Sequence, residues 1–334
     1  MAKPHIKILT LGGTIAMTSD AQGGVVPTLT GEMLVAAVPG LDEVAEVNVQ
    51  SFRQVPSAHL VFDDLYALAD EVVRAAKAGA HGVVITQGTD TIEETAFLLD
   101  RLVSPGIPVV VTGAMRNPTL PGADGPANLL AAVQVAVCPQ ARGLGCLVVL
   151  NDEIHAARFV RKAHTSSPAA FVSGQAGLVG WLSEGRVHIV NRQDPIPILT
   201  PSAPMRGARV ALLMMALGDD GTLIDAAVRE GFEGLVVQGM GGGHVTLAAA
   251  DALERAAQRI PVILASRARD GAVLVDTYGF PGGEIDLRRR GLIGAGWLDG
   301  IKARVLLTLL LGSGVTSVDD VAQAFAPWGG GISN

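Results

Sequence analysis

Short apolar runs recur through the first half of the chain, each stopping abruptly in glycines and hydroxyl residues. Residues 6–11 (IKILTL), 82–86 (GVVIT), 107–112 (IPVVVT) and 144–150 (LGCLVVL) are β-branched and nearly unbroken in apolar character, which predicts strands of a parallel sheet covered on both faces. Between them the period changes. Leu65, Leu68, Ala69, Val72, Val73 and Ala76 recur at helical spacing, with Asp63, Asp64 and Asp70 on the polar side or near the start. Thr91 followed by Glu94 has capping-box spacing and predicts a second helix ending by residues 104–106. Asp124 before Gly125-Pro126 reads as an N-cap for a third, over 127–137. A short helix is expected over 32–38, an extended segment over 44–52, and a loop or hairpin over 18–30 that could cover residue 14.

This alternation is the signature of a parallel α/β domain. Residues 180–190 read as a hairpin turning at Glu184-Gly185, and Pro195, Pro197, Pro201 and Pro204 then crowd into one stretch. The expected organisation is an N-terminal catalytic α/β domain over 1–190, a proline-rich linker over 191–207, and a smaller C-terminal α/β domain over 208–334. In the last, strands are expected over 209–217, 234–238 and 260–265, and helices over 223–229, 247–258, 301–311 and 318–325, the final one capped by Ser317. The fold class is therefore α/β, with a mainly parallel sheet flanked by helices in the larger domain.

Composition narrows the function. A length of 334 residues with 49% hydrophobic and 17% charged residues excludes a disordered chain and exceeds a typical single core. A formal charge of −7 without a long basic block argues against nucleic acid as a partner. Cys138 and Cys146 can form neither a CxxC pair nor a zinc site, and read as buried thiols. The chain enters its first strand without a secretory leader, and its late apolar run at 305–311 is far shorter than the ~20 residues that span a bilayer. A cytoplasmic protein without membrane contact is expected.

The chemistry collects at strand ends. Gly12-Gly13 allows a tight turn before Thr14, but LGGTIAM does not fit G-x-G-x-x-G. The glycine cluster at 239–244 reads as close backbone packing. Thr89, Asp90 and Thr91 admit two readings, as helix caps or as a reactive cluster. Residues 153–171 crowd His155, Arg158, Arg161, Lys162 and His164 together. A hydroxyl becomes a nucleophile only when a neighbour takes its proton or stabilises its alkoxide, so a threonine, a lysine and an aspartate could together do what the serine triad does. Spacing alone does not bring Lys162 to Thr89, and taken as a lone residue it reads as a surface lysine.

Taken together, 11–16 (LGGTIA), Gln87-Gly88-Thr89-Asp90-Thr91 with Glu93-Glu94-Thr95, Gly113-Ala114-Met115-Arg116, Asp124-Gly125-Pro126 with Asn128-Leu129, and Arg158 with Lys162, Thr165 and Phe171 resemble the bacterial-type L-asparaginase family in order and spacing. The likeness extends to Lys302-Ala303-Arg304. It implies hydrolysis of L-asparagine to L-aspartate and ammonia, with no metal or organic cofactor, in a homotetramer built as a dimer of dimers. By the same resemblance, Thr14 is the nucleophile, and Thr89, Lys162 and Asp90 form a second triad. Ser57 binds the substrate α-carboxylate, Asp90 holds its α-amino group, and the backbone at Thr89 and Ala114 faces the reacting amide.

The chain departs from the family pattern in four places. No tyrosine follows the first motif, Tyr66 and Tyr278 being the only ones in the chain; Ala58 stands where a glutamine is common; Gln87 replaces a histidine; and His244 falls near an asparagine contributed by a neighbouring subunit. Three alternatives stay open: a glutaminase-asparaginase, the ammonia-releasing subunit of a tRNA-dependent amidotransferase, and a non-catalytic amino-acid-binding protein.

Overall fold

The computed structural model describes residues 2–13, 15, 17–19, 25–27, 31–104, 106–201, 204–268 and 270–331. The chain divides into two compact units, Met1–Ile198 and Leu199–Asn334. In the first, chain order runs β1 (His5–Thr10), β2 (Met17–Ser19), β3 (Val25–Pro27), α1 (Gly31–Ala36), α2 (Leu41–Val44), β4 (Glu46–Ser51), α3 (Phe62–Lys77), β5 (Gly82–Thr86), α4 (Ile92–Leu102), β6 (Val109–Thr112) and α5 (Gly125–Val137). It continues through β7 (Cys146–Leu150), β8 (Glu153–Ala156), β9 (Arg161–Lys162), β10 (Phe171–Val172), β11 (Gly180–Ser183) and β12 (Arg186–Ile189).

The main sheet has the order β12-β11-β8-β7-β6-β5-β1-β4. From β4 to β7 every pair is parallel, whereas β8, β11 and β12 are added antiparallel. Alternation of side chains explains why the parallel strands read as continuous apolar runs. Ile6, Ile8, Val84, Val110, Leu147 and Val149 share a core with Leu34 of α1, Leu41 of α2 and Leu129 of α5. Their neighbours Leu9, Val83, Ile85, Val109, Val111 and Val148 point the other way and are equally buried, on the side where α3 and α4 pack. The hairpin also forms as its sequence predicts, with Glu184 (φ 51°) and Gly185 (φ 71°) both left-handed, as a primed turn demands.

Three expectations need correction. The run read as extended over 44–52 is preceded by α2, so the strand begins at Glu46. Thr91 precedes α4, but its side chain does not cap the helix. Asp124 likewise precedes α5 without capping it, and both side chains are spent on neighbouring segments instead. Of the region 18–30, β2 and β3 pair antiparallel as a hairpin would; residues 20–24 and 28–30 lie outside the described residues.

The second unit holds β13 (Val210–Met214), α6 (Thr222–Arg229), β14 (Gly234–Gly239), α7 (Leu247–Ala257), β15 (Val262–Ser266), α8 (Glu284–Arg289), β16 (Ile293–Gly294), α9 (Gly300–Gly312) and α10 (Val318–Phe325). Its four strands pair in sequence order, all parallel, around a separate core that includes Leu235, Val237, Leu253 and Leu264. Ser317 caps α10 by accepting from the Asp320 amide. Among the described residues no helix is long and apolar enough to cross a membrane.

Candidate active site

The order β4-β1-β5-β6-β7 reverses direction at β1: the chain moves to one side to make β4 and then to the other to make β5. In open α/β sheets such a switch point leaves a crevice at the carboxyl ends of the two strands, and ligands bind there. The β1 and β5 ladder extends to its end, where the Leu11 amide donates to the Thr86 carbonyl at 2.8 Å. Beyond it the chains stay in contact. Gly13 has φ +90°, and a Cβ there would lie 2.0 Å from the Gly88 nitrogen, so only glycine permits this approach. A Cβ on Gly88 would in turn lie 2.7 Å from Ser57 Oγ. The segments after β1 and β5 therefore converge with Ser57, which is buried at the start of the 3₁₀ turn Ser57–His59.

After Gly88 the chain makes the 3₁₀ turn Thr89–Thr91 and enters α4. Lys162 reaches this turn from β9, a two-residue strand paired with β10. Its Nζ donates to Thr89 Oγ1 at 2.8 Å and to Asp90 Oδ1 at 2.6 Å. Thr89 is buried, the Lys162 side chain is 16% exposed and that of Asp90 is 68% exposed, so the cluster runs from the protein interior to open solvent. Partly exposed ion pairs contribute only ~0–1 kcal/mol to stability, so the value of this one lies in where it holds the amine.

Neighbouring polar groups fix the turn. Gln87 is fully buried; its Nε2 donates to the Gly88 carbonyl and to Thr91 Oγ1, both at 3.3 Å. Thr91 Oγ1 then donates to the Ser57 carbonyl at 3.2 Å, which is why it does not cap α4. On the other side, a Cβ on Gly113 would lie 2.6 Å from the Gln87 carbonyl and 3.2 Å from Thr89 Cγ2, which sets buried Ala114 beside the same turn. Asp124 turns back to accept the amides of Met115 (3.0 Å) and Arg116 (2.8 Å), while Asn128 donates to the Gly113 carbonyl (2.9 Å) and accepts the Asn151 amide (2.9 Å).

Thr89, Asp90 and Lys162 are thus directly hydrogen-bonded, and Ser57 and Ala114 adjoin them. Thr14 lies outside the described residues; its chain neighbours are Gly13, against Gly88, and Ile15, whose Cγ1 would be 2.8 Å from a Cβ on Gly125. The supporting roles of Gln87, Thr91, Asp124 and Asn128 were not read from pattern. Asn128 carried one signal, as a lone amide among the small and apolar residues of 127–133.

Further along the basic segment, His155 is fully buried, with Nδ1 2.9 Å from Ser173 Oγ and Nε2 3.5 Å from Glu153 Oε2. Burial lowers its pKa to about 4, so the ring is neutral near pH 7.

The family profile described as "Asparaginase, N-terminal" matches residues 5–195, and that described as "Glutaminase/Asparaginase C-terminal domain" matches 209–325. The chain is 33% identical to an "L-asparaginase" of Bacillus licheniformis over 94% of its own length and 98% of the relative's. It is 38% identical to a "Probable L-asparaginase" of Deinococcus radiodurans over 96% and 97%. The solved structure of a "Probable Cytoplasmic L-asparaginase from Campylobacter jejuni" matches at a TM-score of 0.84 and 31% identity, covering 97% of this chain and 99% of that one. Sequence and fold agree over both units: the chain belongs to the asparaginase family of amidohydrolases.

Proposed function

We propose that this protein hydrolyses the side-chain amide of L-asparagine to L-aspartate and ammonia. The observation that carries the reading is Lys162 Nζ bridging Thr89 Oγ1 and Asp90 Oδ1 beside the Gly13–Gly88 junction. In this reading the Thr14 hydroxyl attacks the side-chain amide carbon, and its proton passes through neighbouring groups to the departing nitrogen. The carbonyl oxygen becomes an oxyanion opposite the backbone around Thr89 and Ala114, where preorganised dipoles act most strongly. Collapse of the tetrahedral species breaks the C–N bond, releases ammonia and leaves an ester on Thr14. Water then attacks the ester carbon, with Thr89, Lys162 and Asp90 taking up its proton; the bond from that carbon to the Thr14 oxygen breaks, the proton returns to this oxygen to restore the hydroxyl, and aspartate leaves. Ser57 binds the α-carboxylate and Asp90 the α-amino group, a role that suits its exposed carboxylate.

The relatives' names support asparagine as substrate, and the description of the C-terminal profile keeps glutamine as a second one. A non-catalytic binding protein would need the contacts of Ser57 and Asp90 but has no use for an amine held on a threonine hydroxyl. We read the assembly as a cytoplasmic homotetramer, a dimer of dimers. Residues 191–207 serve as its interdomain linker between domains over 1–190 and 208–334; no helix or strand occurs among the described residues of that stretch.

Ammonia release from L-asparagine, L-glutamine and D-asparagine by the purified full-length chain tests the assignment. The expected order is L-asparagine first, with turnover abolished in Thr14→Ala. Absence of turnover on L-asparagine, or undiminished turnover in Thr14→Ala, would overturn it.

A further inference from the structure

At the end of the first unit's sheet opposite the candidate active site, the starts of β6 and β7 and the last turn of α4 enclose a cavity of about 100 Å³. Helix α4 separates the two places, since its eleven residues span roughly 16 Å at 1.5 Å each. Asp100, Arg101, Cys146 and Arg158 form the floor and are all buried, whereas Ser104, Gly106, Gly143 and Pro195 at the rim are exposed.

The floor is unusual in its charge. Asp100 is used at both oxygens: Oδ2 accepts from Arg101 Nη2 at 2.5 Å, and Oδ1 accepts the Cys146 amide at 3.0 Å. That second bond depends on Gly145, whose φ is +76° and whose Cβ, if present, would lie 2.0 Å from Asp100 Oδ1. Arg101 Nη1 is also directed at backbone carbonyls, those of Pro197 at 3.3 Å and Ile196 at 3.5 Å. Arg158 is treated differently. It is 7% exposed, and among the described residues its one hydrogen bond runs from Nη1 to the Asp194 carbonyl at 2.8 Å, with no carboxylate in ion-pair contact.

A guanidinium carries five N–H donors and stays protonated in proteins, so most of the donors of Arg158 are left for whatever fills the cavity. Burial is the main influence on Arg158 and pulls its pKa below the ordinary value; Asp100 and Asp194 oppose that shift and Arg101 adds to it. The floor thus holds two guanidiniums beside Asp100, which is ion-paired to Arg101, while Asp194 lies exposed at the edge and acts on Arg158 only from there. A buried guanidinium whose donors lack acceptors is costly, and the planar fork of an arginine matches the oxygens of a carboxylate or phosphate. At ~30 Å³ per water the cavity has room for about three waters, the scale of one oxyanion head group.

We propose that this cavity binds a small oxyanion, a carboxylate or phosphate group, through the Arg158 guanidinium, beside the Asp100–Arg101 ion pair. The site is separate from the threonine chemistry and does not depend on it.

Isothermal titration of the full-length protein with inorganic phosphate and with acetate, at constant ionic strength, tests the proposal. At least one anion is expected to bind saturably at one site per chain. Arg158→Gln should weaken that binding at least tenfold, while the exposed control Arg229→Gln leaves it unchanged. Phosphate binding without acetate assigns a phosphoryl ligand, and the converse assigns a carboxylate. Should Arg158→Gln fail to fold, anomalous diffraction from wild-type crystals grown with selenate replaces it, and a selenium peak on Arg158 is expected. No saturable binding of either anion, equal binding in wild type and Arg158→Gln, or selenium sites only elsewhere would overturn the proposal.

Discussion

At the scale of single residues, polar side chains in the first unit are held by partners distant in sequence. Lys162 meets a turn 72 and 73 residues earlier, and Thr91 meets Ser57 34 residues away. His155 gives this scale a test through its proton. The folded protein holds the ring neutral down to about pH 4, whereas the unfolded chain protonates it near 6.5. Between those values the unfolded state binds more protons, so stability is full above about 6.5 and falls by roughly 3 kcal/mol as pH drops to about 4. Glu153 acts in the opposite sense, because burial raises its carboxyl and the folded state takes that proton earlier. Urea midpoints at pH 7 and pH 4.5 are expected to fall further in wild type than in His155→Gln; equal falls would contradict a buried neutral histidine. Thr89, Asp90 and Lys162 were legible as a group because hydroxyl, carboxylate and amine occur in a recurring sequence context. The role of Thr91 was not, because capping-box spacing looks the same whether the hydroxyl turns to its own helix or crosses to another loop.

At the scale of elements, strands and long helices followed from periodicity, since a strand buried on both faces leaves an unbroken apolar run and an amphipathic helix leaves a 3.6-residue rhythm. The short elements were hidden. β9 is two residues long and is made by pairing with β10, so no period could announce it, and α8 lies in a segment dominated by charge. Asp124 marks the start of α5 correctly, yet its carboxylate ties down the loop after β6 through Met115, Arg116 and Asn128 Nδ2 (3.1 Å). Asp124→Ala is therefore expected to cost about 1–3 kcal/mol in stability and to raise KM for L-asparagine more than it lowers kcat. Chemical denaturation with steady-state kinetics measures both. A variant unchanged in stability and KM would show that the loop is positioned by other contacts.

At the scale of the whole molecule, each unit has its own sheet, mainly parallel in the first and wholly parallel in the second, and its own core, so the first can present a crevice at the β1/β5 switch point on a rigid support. The proposed tetramer predicts a light-scattering mass four times the 34.4 kDa of one chain; a mass of one chain would contradict it. The central claim is that an amine held between a buried hydroxyl and an exposed carboxylate drives amide hydrolysis. Its most direct test is ammonia release from L-asparagine by Lys162→Met beside wild type, with folding checked by circular dichroism. Lys162 gives little stability, so the variant is expected to fold normally and to lose on the order of 10²–10⁴ in kcat, the range for a positioned proton-transfer group. A folded Lys162→Met enzyme turning over at the wild-type rate would contradict the account.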